Sequence, residues 1–74
     1  METLRDLNIN QSAEIKSLDI TGTQRRRMND LGLISGTKIK KVLVSPFGDP
    51  CAYLVRGSVI SLRNINAEKI YITI

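Results

Sequence analysis

The stretch Pro46-Phe47-Gly48-Asp49-Pro50 places two prolines and a glycine in five consecutive positions. Proline fixes φ and has no N–H to give, so neither a helix nor a central strand runs through such a segment. The chain has to reverse there. Both flanks carry strand patterns: Thr37 to Ser45 is rich in β-branched residues, and Cys51 to Arg56 resumes after the turn. A second reversal at Gly57-Ser58 leads into Val59 to Arg63, and the pair reads as a β-hairpin. Asn64 to Glu68 reads as a loop or short turn. Ile70, Ile72 and Ile74 then alternate with Tyr71 and Thr73, the signature of a half-buried closing strand. Short strands separated by Gly/Pro turns predict a small barrel.

The first half adds one strand and one helix. Thr3 to Leu7 forms a single helical turn with Leu4 and Leu7 on one side. Ala13 to Ile20 is strand-like, with apolar residues at Ala13 and Ile15 and again at Leu18 and Ile20. The two-residue phase slips between Ile15 and Leu18, which predicts a bulge or bend. The segment from Thr21 to Gly32 reads as a helix of about two turns. Thr21 or Thr23 can accept a capping hydrogen bond, Met28 and Leu31 share a face, and Gly32 stops the helix in the left-handed region. Leu33 and Ile34 are expected in the core, as are Leu31, Leu62, Ile70 and Ile72. Gly32, Gly36, Gly48 and Gly57 are expected to serve turns. The expected fold is thus mainly β: a barrel of about five strands with one short helix between the first and second.

With 74 residues the chain supports one thin core and leaves little room for a deep cleft. It has no His, no Trp and one Cys, so an intrachain disulfide and a Cys/His zinc site are both excluded. The usual base for nucleophilic catalysis is missing. Cys51 reads as a small, partly buried residue. The carboxylates are scattered without D-x-D or E-x-x-E pairing, and Asp49 is expected to bond within its own turn. No Gly-rich phosphate loop precedes a helix. No apolar run approaches the ~20 residues that span a bilayer. The opening Met1-Glu2-Thr3-Leu4-Arg5-Asp6 does not suit a secretory signal, so a cytoplasmic location is expected. Together these features describe a protein that is not an enzyme and needs no cofactor.

What remains is charge. Eleven Lys+Arg against seven Asp+Glu give a net +4, which favours acidic partners. The run Arg25-Arg26-Arg27 fans over about 200° of a helix surface, so one arginine at least points to solvent. It is either a basic docking patch or a solvated face with one arginine paired to Asp19 or Asp30. Single-stranded nucleic acid is normally bound with stacking aromatics. Here Phe47, Tyr53 and Tyr71 are the aromatics and none interleaves with the arginines. A protein partner therefore ranks above nucleic acid.

The central motifs resemble one family throughout. Arg25-Arg26-Arg27-Met28 runs into Asp30-Leu31-Gly32-Leu33, then Gly36 and Ile39. Pro46-Phe47-Gly48-Asp49-Pro50, Gly57, Leu62-Arg63, Ala67 and Ile70 follow in order. Each piece is weak alone, and the ordered set from Leu4 to the end is specific. It resembles the FeoA family of ferrous-iron-transport accessory proteins. Met28 stands where the family usually has Leu, and Ile72 where Val is commoner. The resemblance implies an SH3-like barrel, a single FeoA-type domain over residues 1–74. It implies a non-enzymatic cytoplasmic adaptor, peripheral to the inner membrane through its partner. That partner would be a FeoB-type ferrous iron permease with a cytoplasmic GTP-binding portion. Nothing in the resemblance implies that this chain holds iron itself, because His and Cys ligands are nearly absent. The same barrel ends metal-dependent repressors. A chain that starts at its own Met1 without a helix-turn-helix fits a free-standing relative of that domain less well than it fits the transport accessory. A small basic nucleic-acid-binding barrel is the other alternative.

Two surfaces are expected to dock. One is the helix with Arg25, Arg26 and Arg27, where one arginine could act in trans at the permease's GTP site. The other is the loop Phe47, Gly48, Asp49 and Pro50, with Phe47 as an apolar anchor; the competing and favoured expectation folds that ring onto the barrel's open end. An exposed edge strand, such as the last, could pair weakly with a second copy.

Overall fold

A computed structural model of the chain describes residues 2–74. Its elements are a 3-10 turn (Leu4–Asp6), β1 (Ser12–Leu18), α1 (Gly22–Asp30), β2 (Lys38–Val44), β3 (Cys51–Val55), β4 (Ser58–Leu62), a one-turn helix α2 (Asn64–Ala67) and β5 (Ile70–Thr73). The strands form one antiparallel five-stranded sheet in the order β4-β3-β2-β1-β5. The expected order of elements holds, and the 64–68 loop closes into α2.

Two irregularities curl the sheet around its core. The register with β5 shifts between Ile15 and Ser17, where the hydrophobic phase slips. A second shift, between Lys41 and Leu43, bends β2 against β3. Extra residues at such points increase local twist and let a small sheet wrap. Inside lie Ile15, Leu18, Leu33, Ile39, Tyr53, Val55, Leu62, Ile70 and Ile72, with Leu4 and Leu7 from the opening turn. Lys41 is buried as well; its Nζ donates to the Arg5 carbonyl at 3.4 Å and stands 5.8 Å from the Tyr53 ring centroid. The Tyr53 hydroxyl donates to the neighbouring Leu4 carbonyl at 3.4 Å. Two side chains of the sheet thereby hold the opening turn.

Some local expectations change. The hairpin turn is Arg56-Gly57 rather than Gly57-Ser58, because Val55 pairs with Ser58 and leaves Arg56 and Gly57 as a two-residue turn of the type with positive φ at both central positions. Their φ values are 51° and 81°. Thr21 occupies the cap of α1 but its hydroxyl makes no cap hydrogen bond. The chain enters the helix through Gly22, at φ 66°, a conformation that glycine adopts without strain. Gly32 ends the helix at φ 94°, as expected. Leu31 is 45% exposed and Ile34 38%, so neither belongs to the core; Leu33 does. Leu31 still has helical backbone angles, which keep it on the side of α1 that carries Gln24 and Met28.

Candidate functional site

The three arginines of α1 are all exposed. None pairs with Asp19 or Asp30; the ion pair among the described residues is Arg5 with Glu68, at 2.8 Å. Arg25 reaches back to the Leu18 carbonyl at 3.4 Å. Arg27 borders a groove of about 160 Å³. One wall is α1, through Gln24, Arg27, Met28 and Leu31, the i, i+3, i+4, i+7 stripe that shares a helix face. The opposite wall is the end of β4 and the start of α2, through Ser61, Leu62, Arg63 and Asn66. The lining holds two guanidinium groups, no carboxylate, and an apolar floor.

The Pro46–Pro50 loop meets the same α2 segment from its other side. A turn closed by the Gly48 N–H on the Ser45 carbonyl (2.8 Å) carries Pro46 and Phe47 at its tip. Phe47 is 94% exposed, so the ring does not fold onto the barrel end. The turn leaves the ring in solvent. Asp49 also departs from expectation. Its Oδ1 accepts from the Asn64 N–H at 2.9 Å, so it caps the first turn of α2 instead of its own turn. Asn64 replies through Nδ2 to the Gly48 carbonyl at 2.9 Å. The Asp49–Pro50 peptide bond is cis. Cys51 is buried, its Sγ directed at the Gly48 carbonyl at 3.4 Å, which matches a packing residue.

Thus both sequence-marked surfaces flank one segment, Arg63 to Asn66. In the sequence Arg63 is only one position of a longer motif, yet it supplies the groove's second cation. A lone basic residue after a strand gives no signal until the fold sets it opposite Arg27. Among the described residues, no group of three Asp, Glu or Cys side chains gathers as a metal-ligand set. No helix is long and apolar enough to cross a membrane.

A curled five-stranded antiparallel sheet with a short helix after its first strand, and a basic groove beside that helix, defines a small SH3-like barrel. The FeoA domain family matches residues 2–74, and the chain belongs to that family. Its function accordingly lies in ferrous iron transport. The FeoA protein of Chlorobium tepidum superposes with a TM-score of 0.93 at 34% identity, over 99% of this chain and 70% of that one. The zinc complex of FeoA from Stenotrophomonas maltophilia superposes with a TM-score of 0.83 at 25% identity, over 97% and 89% of the two chains. That protein is described as a prokaryotic SH3 domain protein and a proposed ferrous iron transport activating factor. A manganese-dependent transcriptional repressor shares the fold alone, with a TM-score of 0.84 at 11% identity over 97% of this chain and 40% of its own. No curated protein sequence matches the chain.

Proposed function

We propose that the chain is a single-domain, non-enzymatic adaptor that docks on the cytoplasmic GTP-binding portion of a FeoB-type ferrous iron permease and modulates uptake. The observation that carries this is the unpaired basic surface formed by Arg25, Arg26, Arg27 and Arg63 on a FeoA-family barrel. Exposed guanidinium groups steer and orient acidic protein surfaces. Phe47, held out by a turn and 94% exposed, supplies the apolar anchor that such contacts need. Residues Arg25, Arg26, Arg27, Phe47, Gly48, Asp49 and Pro50 form the docking face, with Arg63 between its two halves. The adaptor works in the cytoplasm and reaches the inner membrane through its partner.

The test is an amide NMR titration of the labelled barrel with the permease's cytoplasmic domain, with and without a GTP analogue. Shifts at Arg25–Arg27, Phe47–Pro50 and Arg63 are expected. An unchanged spectrum in both nucleotide states at high concentration rejects the docking surface.

A further inference from the structure

The sheet has two ends, and the chain treats them differently. At β5 the outer side is covered: Thr3 forms a bridge with Tyr71, and the Ile72 N–H donates to the Glu2 carbonyl at 3.0 Å. At β4 the outer side is bare. In the β3–β4 register Val55 pairs with Ser58 across the two-residue turn, so the hydrogen-bonded pairs are Val55/Ser58, Tyr53/Ile60 and Cys51/Leu62. Val59 and Ser61 alternate with them and direct their N–H and C=O groups outward. Among the described residues no main-chain hydrogen bond from elsewhere reaches those groups. Natural edge strands are usually guarded by Lys, Pro or inward charges. Ser58-Val59-Ile60-Ser61-Leu62 contains none of these.

The Ser61 end of this bare edge borders the groove beside α1. Ser61 lines it, with Arg63 beyond, and Arg27, Met28 and Leu31 face them from the helix. A slot between a free strand edge and a helix is the geometry in which an extended peptide adds to a sheet. We infer that this slot takes an extended acidic–apolar segment of a protein partner, which joins β4 as an added strand. Its main chain pairs with Val59 and Ser61. Its apolar side chains cover Met28 and Leu31, and its carboxylates meet Arg27 and Arg63. Charge selects this occupant over a second copy of the chain: symmetric β4–β4 pairing would bring Arg27 and Arg63 of both copies to one seam, where the groove offers no carboxylate. The inference deepens the adaptor reading and rests on it.

The experiment is amide hydrogen exchange by NMR on the unmodified protein. The probe is a blocked seven-residue peptide of alternating glutamate and valine; its control carries lysine for glutamate. Exchange at Val59 and Ser61 is expected to slow at least tenfold with the glutamate peptide and not with the control. Ser61→Pro removes one outward N–H, leaves the ladder to β3 intact, and is expected to abolish the effect. If that variant misfolds, the exchange of the unmodified protein decides alone. No slowing at millimolar peptide overturns the inference, as does equal slowing by both peptides. Protection that rises with protein concentration in the absence of peptide also overturns it, in favour of a second copy. The permease domain is then added to the same sample. If it shifts Arg25–Arg27 but leaves Val59 and Ser61 exchanging freely, strand addition fails and the adaptor reading stands. If it shifts nothing, the adaptor reading fails and the inference falls with it.

Discussion

At the scale of single residues, Phe47 and Tyr53 mark opposite uses of an aromatic ring. Phe47 is 94% exposed and packs on nothing the barrel needs. Phe47→Ala should therefore change stability by less than about 0.5 kcal/mol. If the ring anchors the partner, the same substitution should weaken binding of the permease domain by a factor of roughly ten or more. Denaturant unfolding and a titration on the same sample separate the two effects. Tyr53 is fully buried, and its hydroxyl is pushed well above the ordinary 10.0, by burial first and then by Cys51 and Asp49. Its folded form thus keeps the proton to higher pH than the unfolded chain does. The unfolded state loses its proton first as pH rises through about 10, so Tyr53's contribution to stability is constant below that pH and declines above it. Unfolding free energies measured between pH 8 and 11 should show this decline in the parent and lack it in Tyr53→Phe. Equal alkaline slopes in the two proteins would place the effect elsewhere.

At the scale of elements, α1 is the piece that most depends on one backbone position. Gly32 has φ 94°, and a Cβ added there would sit 3.4 Å from both Arg56 Cδ and Val55 Cγ1. Gly32→Ala should cost about 1–2 kcal/mol through the backbone conformation, the added methyl making only ordinary van der Waals contact with Arg56 and Val55. A loss smaller than about 0.5 kcal/mol in denaturant unfolding would mean that the helix end rearranges. The helix stop at Gly32, the slip between Ile15 and Leu18, and the Pro46–Pro50 reversal were legible in the sequence because each is local chemistry. The second bend, between Lys41 and Leu43, left no phase slip to read. Lys41 occupies an inward position by reaching the Arg5 carbonyl, and a lysine in a strand reads as surface. Asp49's partner was hidden for a similar reason. Asn64 lies fifteen positions away, and no spacing rule links a turn aspartate to a helix that distant in sequence. The proposed docking face divides in the same way. Arg25–Arg27 and the 46–50 loop announce themselves as runs, whereas Arg63 and the bare β4 edge acquire meaning only once the sheet order sets β4 at one end, beside α1.

At the scale of the whole molecule, a barrel of 74 residues has few places to lose. Domains carry roughly 0.05–0.15 kcal/mol of stability per residue, which gives about 4–11 kcal/mol here. The opening turn bears on this margin more than its three residues would imply. Leu4 is fully buried, its carbonyl accepts from Tyr53, and the adjacent Arg5 carbonyl accepts from Lys41. The same segment covers the outer side of β5 through Glu2 and Thr3. A truncation at position 4 therefore opens a cavity and loosens the contacts that bury a lysine and a tyrosine hydroxyl. Leu4→Ala should cost about 2–5 kcal/mol, a large part of the whole margin, and thermal unfolding followed by circular dichroism should show a melting point lowered by ten degrees or more. The loss should also reach β5. Amide exchange at Ile72 should accelerate more than at Tyr53, because the turn supports the covered edge directly and the centre of the sheet only through side chains. If the melting point holds, or if the Tyr53 amide accelerates as much as that of Ile72, the N-terminal turn is an ornament on a barrel that closes without it.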